Sequence, residues 1–204
     1  MAETASTTAL VATGTTIATA KQEFEARSKF IEQNLYKALQ NGSIQSVDFD
    51  LYATRYLAAD TTIELMQSSD SKKVGITNIN DRKLEANTYA FITGVQLLMA
   101  EVKDGNEDSL MAADFKAIDA NMANGELELK NGDKILIPRS SLQRFRTNGH
   151  AENGLEGYVK LECPKFLLPL TDITPTLYLP KAYSTDGKGV AVRLVLHGVK
   201  TNKA

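Results

Sequence analysis

Residues 84–102 read LEANTYAFITGVQLLMAEV, the strongest apolar run in the chain. Aromatic and β-branched residues favour strands, and an apolar run at both parities is typical of a strand buried on both faces. We therefore expect a long central strand, with Gly94 marking a bulge or a close backbone approach. Ile92 and Leu98 have one parity, and the other is shared by five residues: Tyr89, Phe91, Val95, Leu97 and Met99.

The beginning of the chain has the opposite character. Residues 1–20 read MAETASTTALVATGTTIATA and carry a single charged side chain, Glu3. Residues 1–14 lack aromatic side chains and are rich in small residues. Two interpretations remain open for them: a disordered tail, or an arm that becomes ordered against a partner.

Apolar residues at helical spacing predict a helix over residues 16–40, with Thr15 or Thr16 as its N-cap and Asn41-Gly42 at its end. A helix of this length must bury its apolar stripe on the body or on another subunit. The predicted organisation is an arm and helix at residues 1–42 and a β-sandwich body at residues 43–204. The stripe consists of Phe24, Ile31, Leu35 and Leu39.

The clearest turn signal lies in residues 126–137. Asn131-Gly132 predicts a two-residue hairpin turn, in a register that pairs Lys130 with Asp133. Alternation predicts that one face of this hairpin points into the core. That face carries Leu127, Leu129 and Leu136.

Further alternating segments predict the remaining strands. In the last of them one face is expected to carry Val190, Val192, Leu194 and Leu196. Pro164 lacks an N–H donor, so its strand is expected at an edge or a bend. Residues 61–67 are ambiguous between a strand and a helical turn. The predicted strands cover residues 44–58, 158–168, 173–180 and 190–199.

A second helix is predicted over residues 109–123, because four apolar residues fall on one helical face: Met111, Phe115, Ile118 and Met122. The total is seven or eight strands and two helices, without βαβ alternation or an internal repeat. The predicted fold is mainly β, an antiparallel sandwich or jelly roll with an N-terminal helix and one further helix.

Composition excludes several classes of protein. The chain has 204 residues, of which 43% are hydrophobic and 24% charged, and its net charge is −2. Such a chain can bury a core, and it lacks the basic field that direct nucleic-acid binding needs. We expect neither a secretory signal nor a membrane span, and hence synthesis in a cytoplasm. Cys163 is the single cysteine, so an intramolecular disulfide is excluded, and its strand parity predicts burial.

Residue patterns that carry chemistry are missing from the sequence. His150 and His197 are far apart, and Asp48 and Asp50 lack the spacing of a calcium loop. The sequence contains neither a nucleophile elbow nor a phosphate-binding glycine loop. We therefore predict no catalytic, cofactor-binding or metal-binding residues, no cofactor, and a protein that is not an enzyme.

Four stretches carry a resemblance to a known class of proteins: Val74–Asn78, Asn87–Val95, Gly157–Leu161 and Val192–Gly198. Together they resemble the β-rich virion structural proteins of bacteriophages, the jelly-roll coat proteins in particular. The similarity extends over residues 44–200. It implies a capsid or coat subunit without enzymatic activity, located in the virion and synthesised in the host cytoplasm.

The expected partners are copies of the same chain and other virion proteins, with a homo-oligomer as the working state. Deletion of residues 1–40 is then expected to leave a folded body that fails to assemble. The alternative is a binding module, such as a phage fibre head or a carbohydrate-recognising domain, with a site in the loops at 68–83 and 138–157. The candidate subunit contacts are Phe24, Ile31, Leu35, Leu39, Arg139, Arg144 and Arg146.

Overall fold

A computed structural model of the chain describes residues 19–58, 60–146, 155–183 and 189–203. The predicted mainly β fold is confirmed, because two antiparallel sheets hold most of the regular structure. The predicted arm at residues 1–14 and His150 lie outside the described residues. No helix in the described part of the chain is long and apolar enough to cross a membrane.

Twelve helices and strands follow one another along the described chain, and two short 3₁₀ turns, at Met122–Asn124 and Leu142–Phe145, lie between strands. The helices are α1 (Ala20–Ile31), α2 (Gln33–Gln40) and α3 (Glu107–Met111). The strands are β1 (Ile44–Leu57), β2 (Thr62–Glu64), β3 (Ala90–Val102), β4 (Lys116–Ala117), β5 (Glu126–Asn131), β6 (Lys134–Ser141), β7 (Tyr158–Leu167), β8 (Ile173–Tyr178) and β9 (Gly189–Lys203).

The strands form two sheets in which every neighbouring pair of strands is antiparallel. The larger sheet has the order β1-β9-β3, and both β7 and β4 pair with the remaining edge of β3. The smaller sheet has the order β2-β8-β5-β6. Apart from the two-residue β4, this gives eight strands in two four-stranded sheets, between which the chain passes repeatedly. That arrangement is a jelly roll.

The core lies between the sheets, and β3 and β9 supply its centre because each has neighbours on both edges. The predicted inward face of β9 is confirmed by the burial of Val190, Val192, Leu194 and Leu196. Gly94 also occupies the predicted bulge, since the pairing of β3 shifts register between Ile92 and Gly94. A Cβ atom at Gly94 would overlap the ring of Tyr158, so the close approach requires glycine.

The single helix predicted over residues 16–40 is wrong, because the chain breaks at Glu32. This residue is extended, with φ −154° and ψ 122°, and separates α1 from α2. The N-cap is Thr19, whose side chain forms a capping box with Gln22, and not Thr15 or Thr16. The change of direction lets both helices bury a side chain against the same sheet.

The helix predicted over residues 109–123 is also wrong, since α3 ends at Met111 and β4 follows. In β4, Lys116 and Ala117 pair with the edge of β3 beyond the end of β7. An unpaired strand edge leaves N–H and C=O groups that need partners, and β4 supplies them. Ile118 is buried in the core all the same, whereas Met111 is exposed.

The predicted hairpin is confirmed, but its turn lies one residue later than expected. Asn131 pairs with Lys134, and Lys130 pairs with Ile135, so Gly132 and Asp133 form the turn. The amide of Asn131 is buried and donates to the carbonyl oxygens of Thr171 and Asp172, which holds this residue in the strand. The predicted core residues are buried as expected: Leu127, Leu129 and Leu136.

Cys163 is exposed, so its predicted burial is wrong. In β7, Lys160 faces Gly94 and Lys165 faces Ile92, which leaves four residues of β7 opposite one residue of β3. This bulge ends the regular alternation before Cys163 is reached. The bend expected at Pro164 is confirmed, since Pro164 lies in the bulge of an edge strand.

Candidate functional site

Side chains from both N-terminal helices pack on the outer face of the larger sheet. Phe24 of α1 and Leu35 of α2 form an apolar cluster with Phe91 of β3 and Val199 of β9. Phe166 of β7 joins it, and its ring centroid lies 4.7 Å from that of Phe91 and 5.5 Å from that of Phe24. The helices therefore form a layer over the sheet.

Polar contacts fix this helical layer in place. The guanidinium of Arg27 lies 5.8 Å from the ring centroid of Phe91, within cation–π range. The hydroxyl of Tyr89 donates to the carboxylate of Glu32, at the break between the helices. Only residues 41–43 separate α2 from β1, so the helices must pack on the sheet of their own chain.

The predicted helical contacts therefore fall into two groups. Phe24 and Leu35 are 0% and 3% exposed against the chain's own sheet, so they are not available to a neighbouring subunit in this structure. Leu39 is half-buried beside the same cluster. Ile31 is exposed at the corner between α1 and α2, where a second subunit has access to it.

The most exposed apolar side chains lie on loops and at the helical corner, and residue periodicity does not identify them. Phe30 is 78% exposed next to Ile31, with the ammonium of Lys29 4.7 Å from its ring centroid. Val74 is 89% exposed on the loop between β2 and β3. Leu170 is 64% exposed on the loop between β7 and β8.

The three predicted arginine contacts lie in different surroundings. Arg139 lies on β6, with its guanidinium 3.8 Å from the ring centroid of Tyr178. Arg144 borders a small cavity next to Phe145. Arg146 is exposed directly after the second 3₁₀ turn. All three side chains are exposed, and they have no contact partner in common.

Charged side chains cover the outer face of the smaller sheet. Glu128 accepts hydrogen bonds from Lys130 at 2.9 Å and from the hydroxyl of Tyr178 at 3.3 Å. The hydrogen bond from Lys130 lowers the pKa of the Glu128 carboxyl, and the same contact raises the pKa of Lys130. At the end of this face, the guanidinium of Arg82 lies 2.7 Å from the Asp172 carboxylate.

A series of hydrogen bonds between side chains crosses the outer face of the larger sheet from strand to strand. The imidazole of His197 lies 2.7 Å from Asp50 through Nδ1 and 3.3 Å from Gln96 through Nε2. The amide of Gln96 donates in turn to the backbone carbonyl of Glu156 at 2.7 Å. Within the described residues, no hydrogen bond joins a serine, threonine or cysteine side chain to this imidazole. This series of hydrogen bonds thus connects β1, β9, β3 and the start of β7.

A cavity of about 360 Å³ lies at the end of the sandwich after β8. Asn121, Asn124, Lys181 and Tyr183 contribute to its lining. Burial, and then the hydrogen bond to Asp119, raise the pKa of the Tyr183 hydroxyl, so this group stays a donor. The described residues contain no cluster of three or more histidine, cysteine or carboxylate side chains that would hold a metal ion.

No protein-family model matches the sequence, and no curated protein matches it either.

Proposed function

We propose that this chain is a structural virion protein, a capsid or coat subunit that assembles with copies of itself and with other virion proteins. The observation that carries the proposal is the strand order, β1-β9-β3-β7 facing β2-β8-β5-β6. This jelly-roll order is shared by viral capsid proteins, lectin domains and cupins. A fold alone does not determine a function, so the choice among these functions depends on the surfaces of the protein.

The exposed apolar side chains are the candidate assembly contacts of this proposal. Phe30, Val74 and Leu170 are exposed at three separate places, on the helical corner and on loops at the rim of the sandwich. Singly exposed apolar side chains are common on protein surfaces, so these three are candidate contacts that substitution tests. Contacts between different patches of identical subunits close into rings or shells when the rotation permits.

The charge of the chain agrees with a coat built on protein–protein contacts. The net charge is −2, and the lysine and arginine side chains with resolved contacts largely pair with carboxylates or stack on rings. Direct binding of the genome is therefore not part of the proposal. The virion is the proposed location, after synthesis in the host cytoplasm.

Particle formation by the purified chain tests the proposal. We expect light scattering and electron microscopy to show large, regular oligomers that form as the protein concentration rises. Val74→Asp and Leu170→Asp should reduce particle formation without changing the melting temperature, since both side chains are exposed. Gln143→Asp adds the same charge at an exposed polar position and is the matched control. A chain that stays monomeric at every concentration contradicts the proposal.

A second candidate function is a binding module such as a phage fibre head or a carbohydrate-recognising domain. It is favoured by the cavity of about 360 Å³, whose carboxamides, ammonium group and tyrosine are groups that hydrogen-bond sugar hydroxyls. A glycan array tests it. Binding that Asn121→Ala and Asn124→Ala abolish, without particle formation, would replace the coat proposal with this one.

A further inference from the structure

The four edges of the two sheets are not equally protected. A strand edge exposes N–H and C=O groups that can pair with another chain, and proteins usually block it with proline, bulges or short strands. Three edges here are blocked in this way. β2 has three residues, β6 contains Pro138 and two register shifts, and β7 contains Pro164 and its bulge.

The edge of β1 is blocked over only part of its length. Tyr52 and Thr54 point their N–H groups away from β9, and both are paired with the loop at residues 76–78. The same loop reaches the carbonyl of Asp50 through Asn78. The N-terminal half of β1 extends beyond this cover.

The outward-pointing backbone groups of that half, from Ile44 to Asp48, have no partner among the described residues. Pairing of β1 with β9 is continuous over fourteen residues, without a register shift. Hydrogen bonding alternates along an antiparallel strand, so Ile44, Ser46 and Asp48 point their N–H and C=O groups outward as Tyr52 does. The stretch from Ile44 to Asp48 contains no proline, lysine or bulge.

We propose that this open edge is an interface with a second copy of the chain, in which two β1 strands pair antiparallel about a two-fold axis at Ser46. The inference rests on the proposed self-assembly, to which it assigns one contact. The two larger sheets then join into one continuous sheet. A two-fold contact is self-complementary, since each copy offers the same patch.

The register of such a pair follows from the outward-facing residues. Ser46 faces Ser46 of the second copy, and Ile44 faces Asp48, so each outward residue meets another outward residue. The stretch has one charged side chain, Asp48, and it faces an apolar residue in this register. Like charges are therefore not directly opposed.

Ser46 also offers a precise test, because its N–H does not take part in the pairing with β9. Ser46→Pro removes an outward donor from each copy and places a ring on the edge. Ser46→Ala is the matched control, since it removes only the Oγ atom, which is buried without a hydrogen-bond partner. We expect Ser46→Pro to raise the dissociation constant of the dimer about tenfold or more, and Ser46→Ala to leave it unchanged.

Sedimentation at several concentrations measures this constant, with circular dichroism to verify the fold of each variant. Amide hydrogen exchange of the unmodified chain is the second measurement, and it remains informative even if Ser46→Pro does not fold. The amides of Ser46 and Asp48 should become protected as the dimer forms. If the amides of Ser46 and Asp48 exchange freely in the associated protein, the inference is wrong. It is also wrong if Ser46→Pro folds and has the same dissociation constant as the unmodified chain.

A variant lacking residues 1–18 separates this contact from strand addition by the N-terminal segment. We expect it to form the dimer and to protect the same amides. Loss of both on truncation would identify that segment as the occupant and overturn the β1 pairing. If particles form while the β1 amides stay exposed, only this inference fails. If nothing associates at any concentration, the proposed coat function fails as well.

Discussion

The outer faces of the two sheets are covered in different ways. α1 and α2 cover the larger sheet by packing Phe24 and Leu35 on an apolar cluster. The smaller sheet is covered by its own charged side chains, such as Lys130 on Glu128. The first cover depends on a remote segment of the chain and on apolar burial. The second depends on local ionic contacts, which contribute less and change with pH and salt.

The largest expected effect comes from deleting the helical cover. Deletion of residues 1–40 uncovers Phe91 and Val199, and we expect it to lower the free energy of unfolding by about 5 kcal/mol or more. Deletion of residues 1–18 keeps α1 and α2 and is the comparison variant. Denaturant unfolding measures both. This outcome differs from the folded body that the sequence alone predicts, and equal stability of the two truncations would contradict it.

A single side chain sharpens the same contrast. Phe24→Ala empties the centre of the apolar cluster, so we expect a loss of about 4 kcal/mol in the free energy of unfolding. Phe30→Ala lies six residues further along the same helix at an exposed position, and its cost should stay below about 0.5 kcal/mol. Chemical denaturation of both variants decides the matter, and a similar cost for the two would disprove the burial of Phe24.

The charged cover predicts a dependence on pH. Glu128→Gln should cost about 1 kcal/mol at pH 7, because Lys130 loses its carboxylate partner. Lys130 lowers the pKa of Glu128 in the folded state, so this contribution is complete above the unfolded pKa of about 4.3. It is lost as the pH falls through the lowered folded value. Unfolding of both proteins at pH 7 and pH 3 measures it, and a pH-independent difference would refute the ionic contact.

The smallest expected effect is at Arg139. Arg139→Gln removes the stacking of the guanidinium on Tyr178 and should cost about 0.5 kcal/mol in the free energy of unfolding. Arg146→Gln changes the charge equally at an exposed position and is the control. Thermal unfolding at low and high salt checks the difference, and equal losses in the two variants would mean that the ring contact contributes nothing.

The two faces also differ in how far the sequence predicts them. Alternation in β9 and the Asn131-Gly132 region fixed the inward faces correctly, because a strand has a period of two whatever packs against it. Helical spacing predicts a buried stripe but leaves its partner open between the body and another subunit, and Ile31 of that stripe is exposed. Only the short connection of residues 41–43 places Phe24 and Leu35 on their own sheet.

Two of the wrong predictions have a common physical origin. Met111, Phe115 and Ile118 have helical spacing, yet β4 forms among them because β3 has an edge to pair. The alternation of β7 predicts that Cys163 points inward, but Cys163 lies in the β7 bulge, where the alternation is interrupted. In both places hydrogen bonding to a distant strand outweighs local periodicity. The exposed apolar residues on loops, including Leu170, are recognisable as exposed only once the fold is known.

The sequence by itself determined the fold class, the inward faces of most strands and the place of the Gly94 bulge, since these follow from periodicity and backbone sterics within a few residues. Tertiary structure decided the strand order, the covering of one sheet by helices and of the other by charges, and which edge stays open. Each of these depends on which distant segments pair, and that depends on the packing of the whole chain.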